Sequence, residues 1–226
     1  VNTLAVFFDV DFTLIRPGRR FLGPGYAETC VRHGVPVDET AFEAAVASAA
    51  GVLDTMDQRY HDEIFVRYTS RIIELMGGTG PGVAVAAREI YDDWAHHHHF
   101  EMYEEVPEAL RTLQRQGVQM GLISNSHRPL ETFGEYFDLA GVMSVTVSSA
   151  EFGVMKPDPR IFHEALSRIR VAPDQAVMVG DSLAHDVLGA RQVGMRGVLL
   201  DRDGRAKGLD ASIPVIQSLS ELASLL

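Results

Sequence analysis

The sequence predicts an α/β fold: a parallel sheet with helices on both faces, interrupted early by an all-helical insertion. Three observations predict it. An apolar run, Leu4 to Phe8, ends abruptly in two acids one residue apart, Asp9 and Asp11. Residues 24 to 100 carry helical periodicity and no convincing strand. From Val106 onward, helical and strand-like segments alternate, as they do around a parallel sheet.

The Leu4 to Phe8 run reads as a buried strand, apolar throughout because a parallel sheet is covered on both faces. Helices are expected next at about 24–33, 39–50, 57–76 and 82–98, with breaks at Gly34-Val35-Pro36 and from Gly77 to Gly82. In the third, Ile64, Phe65, Tyr68, Ile72, Ile73 and Leu75 recur at helical spacing, the apolar stripe of a bundle helix. After Val106 the expected order is helix 107–116, strand 119–123, helix 129–137, strand 144–147, helix 159–169, strand 176–179, helix 183–193, strand 197–200 and helix 218–225. The helical block lies between the first strand and all the others, so it is an insertion connected near residues 15–20 and 99–104. The chain then divides into a core of residues 1–15 and 104–226 and an insertion of residues 16–103.

The 226 residues carry a net charge of -11, which argues against nucleic acid or an anionic membrane surface as partner. A small anionic substrate remains compatible, because a local site can be positive on an acidic protein. Cys30 is the single cysteine, so no disulfide forms within the sequence, which fits a reducing cytoplasm. Cys30 itself reads as a small buried side chain on a helix. No apolar run approaches the ~20 residues of a membrane span. The first residues lack the basic-then-apolar order of a signal peptide. Oligomeric state is not legible.

Chemistry is expected where strands end, because ligands of open α/β sheets bind beyond the carboxyl ends of the strands. Asp9 and Asp11 sit at such an end. Two neighbouring carboxylates repel and lose water, and a cation would remove most of that cost. Hard oxygen ligands point to Mg²⁺ before zinc or copper. Taken alone, the pair also fits a plain strand-to-loop turn.

The second strand ends in Ser124-Asn125-Ser126 ahead of an expected helix start. Two roles fit: anion binding through backbone N–H groups and a hydroxyl, or an ordinary N-cap. Lys156 lies in a loop stiffened by Pro157 and Pro159, where a fixed ammonium can neutralise phosphate charge; the other reading is a solvated surface lysine. Gly180 permits a tight turn after the fourth strand of the series, Asp181 follows at its tip, and Asp186 comes one helical turn later. Four acids around one lysine suit a divalent cation beside a bound anion.

These pieces, in this order, resemble the four motifs of the haloacid dehalogenase superfamily. Asp9-x-Asp11-x-Thr13 is similar to the first, Ser124 to the second, Lys156 to the third, and Gly180-Asp181 with Asp186 to the fourth. The resemblance implies a Rossmann-like core with a helical cap. It also implies roles. Asp9 would be the nucleophile that forms an aspartyl-phosphate, and Asp11 the general acid and then base. Mg²⁺ would be held by Asp9, the Asp11 backbone carbonyl and Asp181. Asp186 would bind a metal-bound water or orient Lys156. Ser124 and Lys156 would hold phosphoryl oxygens, within a site completed by Thr13, and Asn125 would help to place substrate. One departure stands out: the family usually has Gly where this chain has Phe12.

The activity so implied is a Mg²⁺-dependent phosphatase acting on a small phosphorylated metabolite. Alternatives on the same fold are a phosphomutase, a 2-haloacid dehalogenase, which usually lacks the second Asp of the first motif, and a catalytically silent binding protein. Arg16, Arg19 and Arg20 read either as contacts to an anionic substrate or as solvated loop charges. Trp94 reads as cap core. The run His96 to His99 reads as the frayed end of the last cap helix; four successive helical residues point in different directions, so they cannot all chelate one ion, although adventitious metal binding is possible.

Overall fold

A computed structural model of the chain describes residues 2–53, 58–139 and 141–226. It divides into two compact units, one formed by the chain up to Arg16 with Met102–Leu226, the other by Pro17–Glu101.

The first unit begins with β1 (Ala5–Phe8), whose four residues are all buried. The chain leaves along β2 (Ile15–Pro17). The second unit carries α1 (Gly23–Arg32), α2 (Phe42–Ala49), α3 (Asp62–Leu75) and α4 (Gly82–Asp93). The return is along β3 (Phe100–Met102), and β2 and β3 form a two-stranded sheet of their own. There follow α5 (Val106–Arg115), β4 (Gln119–Ser124), α6 (Phe133–Tyr136), β5 (Met143–Ser148), α7 (Ser149–Phe152), α8 (Pro159–Ile169) and β6 (Ala176–Gly180). A π-helical turn, Leu183–Leu188, runs into α9 (Gly189–Gln192), then β7 (Arg196–Leu200), β8 (Val215–Ile216) and a closing 3-10 turn, Leu219–Ser224.

Among the described residues the main sheet has six strands in the order β5-β4-β1-β6-β7-β8, and its pairings are parallel. This is the Rossmann-like α/β arrangement expected of the sequence. Ala5, Phe7, Ile123, Val145, Val147, Ala176 and Met178 turn to one face and pack against Ile161, Phe162, Ala165, Leu166 and Ile169 of α8. The intervening residues Val6, Phe8, Leu122, Val177 and Val179 are equally buried, because strand side chains alternate and both faces are covered. Each such side chain contributes ~1.5–3 kcal/mol by leaving water.

The register fixes where the chemistry sits. Phe8 lies opposite Leu122 of β4 on one side and Val179 of β6 on the other. The next residues along these central strands, Asp9, Ile123 with Ser124, and Gly180 with Asp181, therefore emerge together at one edge.

Several boundaries differ from the expectation for local reasons. The third helix begins at Asp62, after His61 in an extended conformation, and residue 57 lies outside the described residues. Acidic Asp62 and Glu63 suit that start, since a helix N-terminus favours negative charge. The second strand of the series is not followed at once by a helix: α6 starts only at Phe133. Pro129 disfavours helical geometry at Arg128, and Ser126 Oγ accepts the Arg128 N–H at 3.0 Å, which turns the chain locally. The fourth helix stops at Asp93, so the histidine run is not its frayed end; His97–His99 form a separate 3-10 turn. The expected 183–193 helix opens with a π turn, and the expected C-terminal helix is 3-10, capped by a Ser218–Glu221 box. β8 is only two residues long and leaves no periodic signal.

Within the helical unit, Ile64, Ile72 and Ile73 of α3 are buried. Trp94 is half-buried, packed between Phe21 and Phe100 with ring centroids at 4.4 and 5.0 Å. Cys30 is buried on α1, and burial pushes its thiol up to about 11, where it is inert at neutral pH.

Candidate active site

Asp9 follows the last residue of the central strand, and its N–H donates to the Val179 carbonyl at 2.9 Å, which carries sheet pairing one step further. Its carboxylate faces a lysine that is anything but solvated. Lys156 is 3% exposed, and its Nζ donates to Asp9 Oδ1 at 2.6 Å, to Asp186 Oδ1 at 2.6 Å and to the Ile123 carbonyl at 2.7 Å. An ammonium has three protons, and all three are used.

The loop holding Lys156 is fixed by Asn125. The Asn125 amide donates to the Lys156 carbonyl at 2.9 Å, and its Oδ1 accepts the Lys156 N–H at 2.7 Å. Asn125 thus spends both ends of its side chain on the lysine backbone. Neither Ser124 nor Asn125 caps a helix, since α6 lies further on. Ser124 is buried at the tip of β4, and Thr13 is buried with its hydroxyl 3.5 Å from Asp9 Oδ2, at the limit of a hydrogen bond.

Asp186 is 1% exposed. Besides the Lys156 ammonium it accepts the Ser182 N–H on Oδ2 at 3.0 Å. The π turn positions it: the N–H groups of Asp186 and Val187 both bond to the Ser182 carbonyl, at 3.0 and 3.3 Å. π-helical widening often marks functional sites. Gly180 is needed here for space rather than for a turn. A Cβ on it would lie 2.1 Å from Asp186 Oδ2.

Among the described residues, carboxylate oxygens of Asp9, Asp181 and Asp186 lie within 4.8 Å of one another. One ammonium cannot balance three carboxylates. Burial pushes the Asp9 carboxyl well above the usual range, opposed by Lys156 and reinforced by Asp186. Asp181 stands at the exposed mouth, yet desolvation on its inner side, then the Asp186 charge, raises it to about 7. Burial disfavours the charge of Lys156, but Asp186 and Asp9 overcome that and raise its pKa, so it stays protonated. The surplus negative charge and the all-oxygen donor set fit a hard divalent cation such as Mg²⁺.

Asp11 is not part of that convergence. Its Oδ1 lies 2.9 Å from Nη1 of Arg128, whose side chain is fully buried. Sequence reasoning missed Arg128, because an arginine in a Ser-His-Arg-Pro loop carries no local sign of burial. It also missed Arg202, which braces the loop after β1. Arg202 donates to the Phe12 carbonyl at 3.3 Å and the Thr13 carbonyl at 2.7 Å, pairs with Glu105 at 2.6 Å, and stacks 3.6 Å over the Tyr103 ring. The departure at Phe12 has a backbone meaning: Phe12 adopts a φ of 62°, the left-handed region that favours glycine, and stays 44% exposed.

The arginines that follow the first motif divide. Arg20 is drawn into the helical unit, where it bonds Asp93 Oδ2, Glu89 Oε1 and the Thr29 hydroxyl; it is not a solvated loop charge. Arg19 pairs with Glu28 at 2.6 Å on the surface. Arg16 lies 5.7 Å from the Tyr103 ring centroid.

A parallel sheet with acids and a buried lysine at one strand edge defines a hydrolase on a Rossmann-like core. The chain belongs to the haloacid dehalogenase-like hydrolases, whose family model matches residues 3–194. It is 31% identical to haloacid dehalogenase-like hydrolase domain-containing protein 3 of Danio rerio, over 98% of this chain and 95% of that one. It is 32% identical to glyceraldehyde 3-phosphate phosphatase of Pyrococcus furiosus, over 85% of this chain and 78% of that one. Among solved structures, a 2-haloacid dehalogenase from Pseudomonas syringae superposes with a TM-score of 0.66 at 26% identity, covering 99% of this chain and 97% of that one.

Proposed function

We propose that the protein is a Mg²⁺-dependent phosphatase that cleaves a small phosphorylated metabolite through an aspartyl-phosphate on Asp9. One observation carries the reading: Asp9, at the tip of the central strand, meets a triply bonded buried lysine and two further carboxylates within 4.8 Å. A relative at 32% identity named as a phosphatase supports it. The single cysteine is in keeping with a cytoplasmic setting. Among the described residues no helix is long and apolar enough to cross a membrane.

Phosphoryl transfer is mainly positioning and charge neutralisation, and the residues divide along those lines. The Asp9 carboxylate attacks phosphorus while the ester oxygen leaves. Asp11 gives a proton to that oxygen, then takes one from the water that hydrolyses the aspartyl-phosphate. The Ser124 hydroxyl holds one phosphoryl oxygen, and Lys156 exchanges its Asp9 bond for another while keeping those to Asp186 and the Ile123 carbonyl. Asn125 positions Lys156 through its backbone, and Asp186 orients the ammonium. Thr13 supports the Asp9 carboxylate. Asp9, Asp181 and Asp186, with the Asp11 carbonyl, would hold Mg²⁺. Bound there, the cation would neutralise the surplus carboxylate charge and polarise the phosphoryl group.

The dehalogenase reading has a solved relative behind it. That chemistry needs no phosphate-site metal, and a three-carboxylate cluster with surplus charge favours the phosphatase. The test is release of inorganic phosphate from p-nitrophenyl phosphate and a panel of phosphorylated metabolites, with Mg²⁺ and with EDTA, beside halide release from 2-haloacids. Phosphate release that needs Mg²⁺ supports the proposal. Halide release that ignores EDTA, with no phosphate release, overturns it.

A further inference from the structure

We propose that Asp93, His96 and His99 form a second cation site, in the helical unit, that takes a borderline transition-series ion such as Zn²⁺ rather than Mg²⁺. One ligand atom of each lies within 4.8 Å of the other two. The site belongs to the unit Pro17–Glu101 and does not rest on the phosphatase reading.

The backbone creates the alignment. After α4 ends at Asp93, the His96 N–H donates to the Asp93 carbonyl at 3.0 Å, and the His99 N–H donates to the His96 carbonyl at 3.2 Å. These are two successive i to i+3 bonds. His96, in an extended conformation, joins the turn that ends α4 to the 3-10 turn His97–His99, and the two turns bring one ligand atom each of residues 93, 96 and 99 together. An α-helix continued through the run would have spread them apart. Asp93 Oδ1 and His96 Nδ1 are already 3.7 Å apart. Two ligands across a tetrahedral zinc at ~2.0–2.1 Å stand roughly 3.3 Å apart, so a small side-chain rotation closes the site.

The ligands are also held. Arg20 Nε donates to Asp93 Oδ2 at 2.7 Å, and its Nη2 reaches the same oxygen, which leaves Oδ1 turned to His96. This is how an outer partner orients a metal-binding carboxylate. The edge of His99 packs on Phe21, with ring centroids 5.6 Å apart. Two imidazoles and one carboxylate suit Zn²⁺, Ni²⁺ or Co²⁺; Mg²⁺ prefers oxygen alone. The positive charge of Arg20 beside Asp93 weakens attraction for a cation. A bound ion would tie the end of α4 to the last residue of the 3-10 turn, just ahead of β3.

The test is calorimetric titration of the full chain with Zn²⁺, in an Asp9→Asn, Asp181→Asn background that removes the strand-end carboxylates from competition. The proposal predicts one equivalent bound and a melting temperature that rises with Zn²⁺. His96→Ala and His99→Ala should each weaken binding at least tenfold and abolish the thermal shift. His98→Ala, which changes the exposed histidine between them, should change affinity less than twofold. Absence of Zn²⁺ uptake, uptake indifferent to His99→Ala, or equal loss with His98→Ala would mean adventitious binding to a histidine tract and would overturn the site.

Discussion

Arg128 places Nη1 2.9 Å from Asp11 Oδ1, and its side chain is 0% exposed. A guanidinium stripped of water is costly, and an ion pair with the acid of the first motif offsets that cost. On the proposed mechanism, this ion pair would make Arg128 a positioning residue that acts through Asp11.

Replacing Arg128 with Met should therefore cost twice. Asp11, 15% exposed, is left without its partner, so the loss should fall below the ~3–5 kcal/mol of a pair broken in the deep interior. Turnover on p-nitrophenyl phosphate should fall 10- to 100-fold in kcat, with KM changed far less. Arg128→Lys should recover part of both. Denaturant melts and steady-state kinetics read the two effects separately. A KM effect alone would move Arg128 from positioning Asp11 to binding substrate.

Asp181 gives a pH dependence with a definite sign. Its pKa in the fold, about 7, lies above the ordinary 3.8 of an aspartate. Between those values the folded protein holds a proton that the unfolded chain has lost, so metal-free stability declines as pH rises towards 7. The raised Asp9 acts in the same sense, whereas Lys156 stays charged throughout this window. In EDTA, the melting temperature of the wild type relative to Asp181→Asn should fall between about pH 4 and 7. Mg²⁺ should remove much of that decline. A wild-type curve parallel to that of Asp181→Asn would remove Asp181 from the cluster.

Gly180→Ala tests the close approach at the end of β6. The added methyl would meet Asp186 Oδ2 at 2.1 Å, so the carboxylate must move away from Lys156. Turnover should drop at least tenfold and Mg²⁺ activation should shift to higher concentration. An unchanged metal-activation curve would mean that the strand end yields instead of the carboxylate.

Phe12→Gly relaxes a left-handed backbone that costs a side-chain-bearing residue ~1–2 kcal/mol, against ~0.5–1 kcal/mol lost to a more flexible unfolded chain. The expected net effect is a stability equal to or up to about 1.5 kcal/mol above the wild type. A clear loss in a denaturant melt would show that the Phe12 ring makes contacts worth more than the strain.

The sheet was legible because its strands are short apolar runs, and a parallel sheet demands such runs. Asp9, Lys156, Asp181 and Asp186 were legible as chemistry-bearing residues at strand tips and loops. The contacts among them were not. Asn125 looked like a cap or a substrate contact, yet its amide spends itself on the Lys156 backbone across a separation in sequence of 31 residues. Gly180 looked like a turn glycine, and the reason for it is a carboxylate six residues on. Arg128 and Arg202 were invisible because local composition gives a buried arginine and a solvated one the same appearance. The end of α4 failed for a different reason. Nothing in helical propensity separates Trp94 to His99 from the helix before it, and the 3-10 turn is set by packing of Phe21, Trp94 and Phe100.

The central claim is that Asp9 carries the phosphoryl group. The most direct measurement is acid-quenched turnover with p-nitrophenyl phosphate and Mg²⁺, followed by mass spectrometry of the peptide containing Asp9. One added phosphoryl group on Asp9 is expected in the wild type, absent in Asp9→Asn, which should fold and fail to turn over. Sustained phosphate release by Asp9→Asn, or a phosphoryl group found on another residue, would contradict the account.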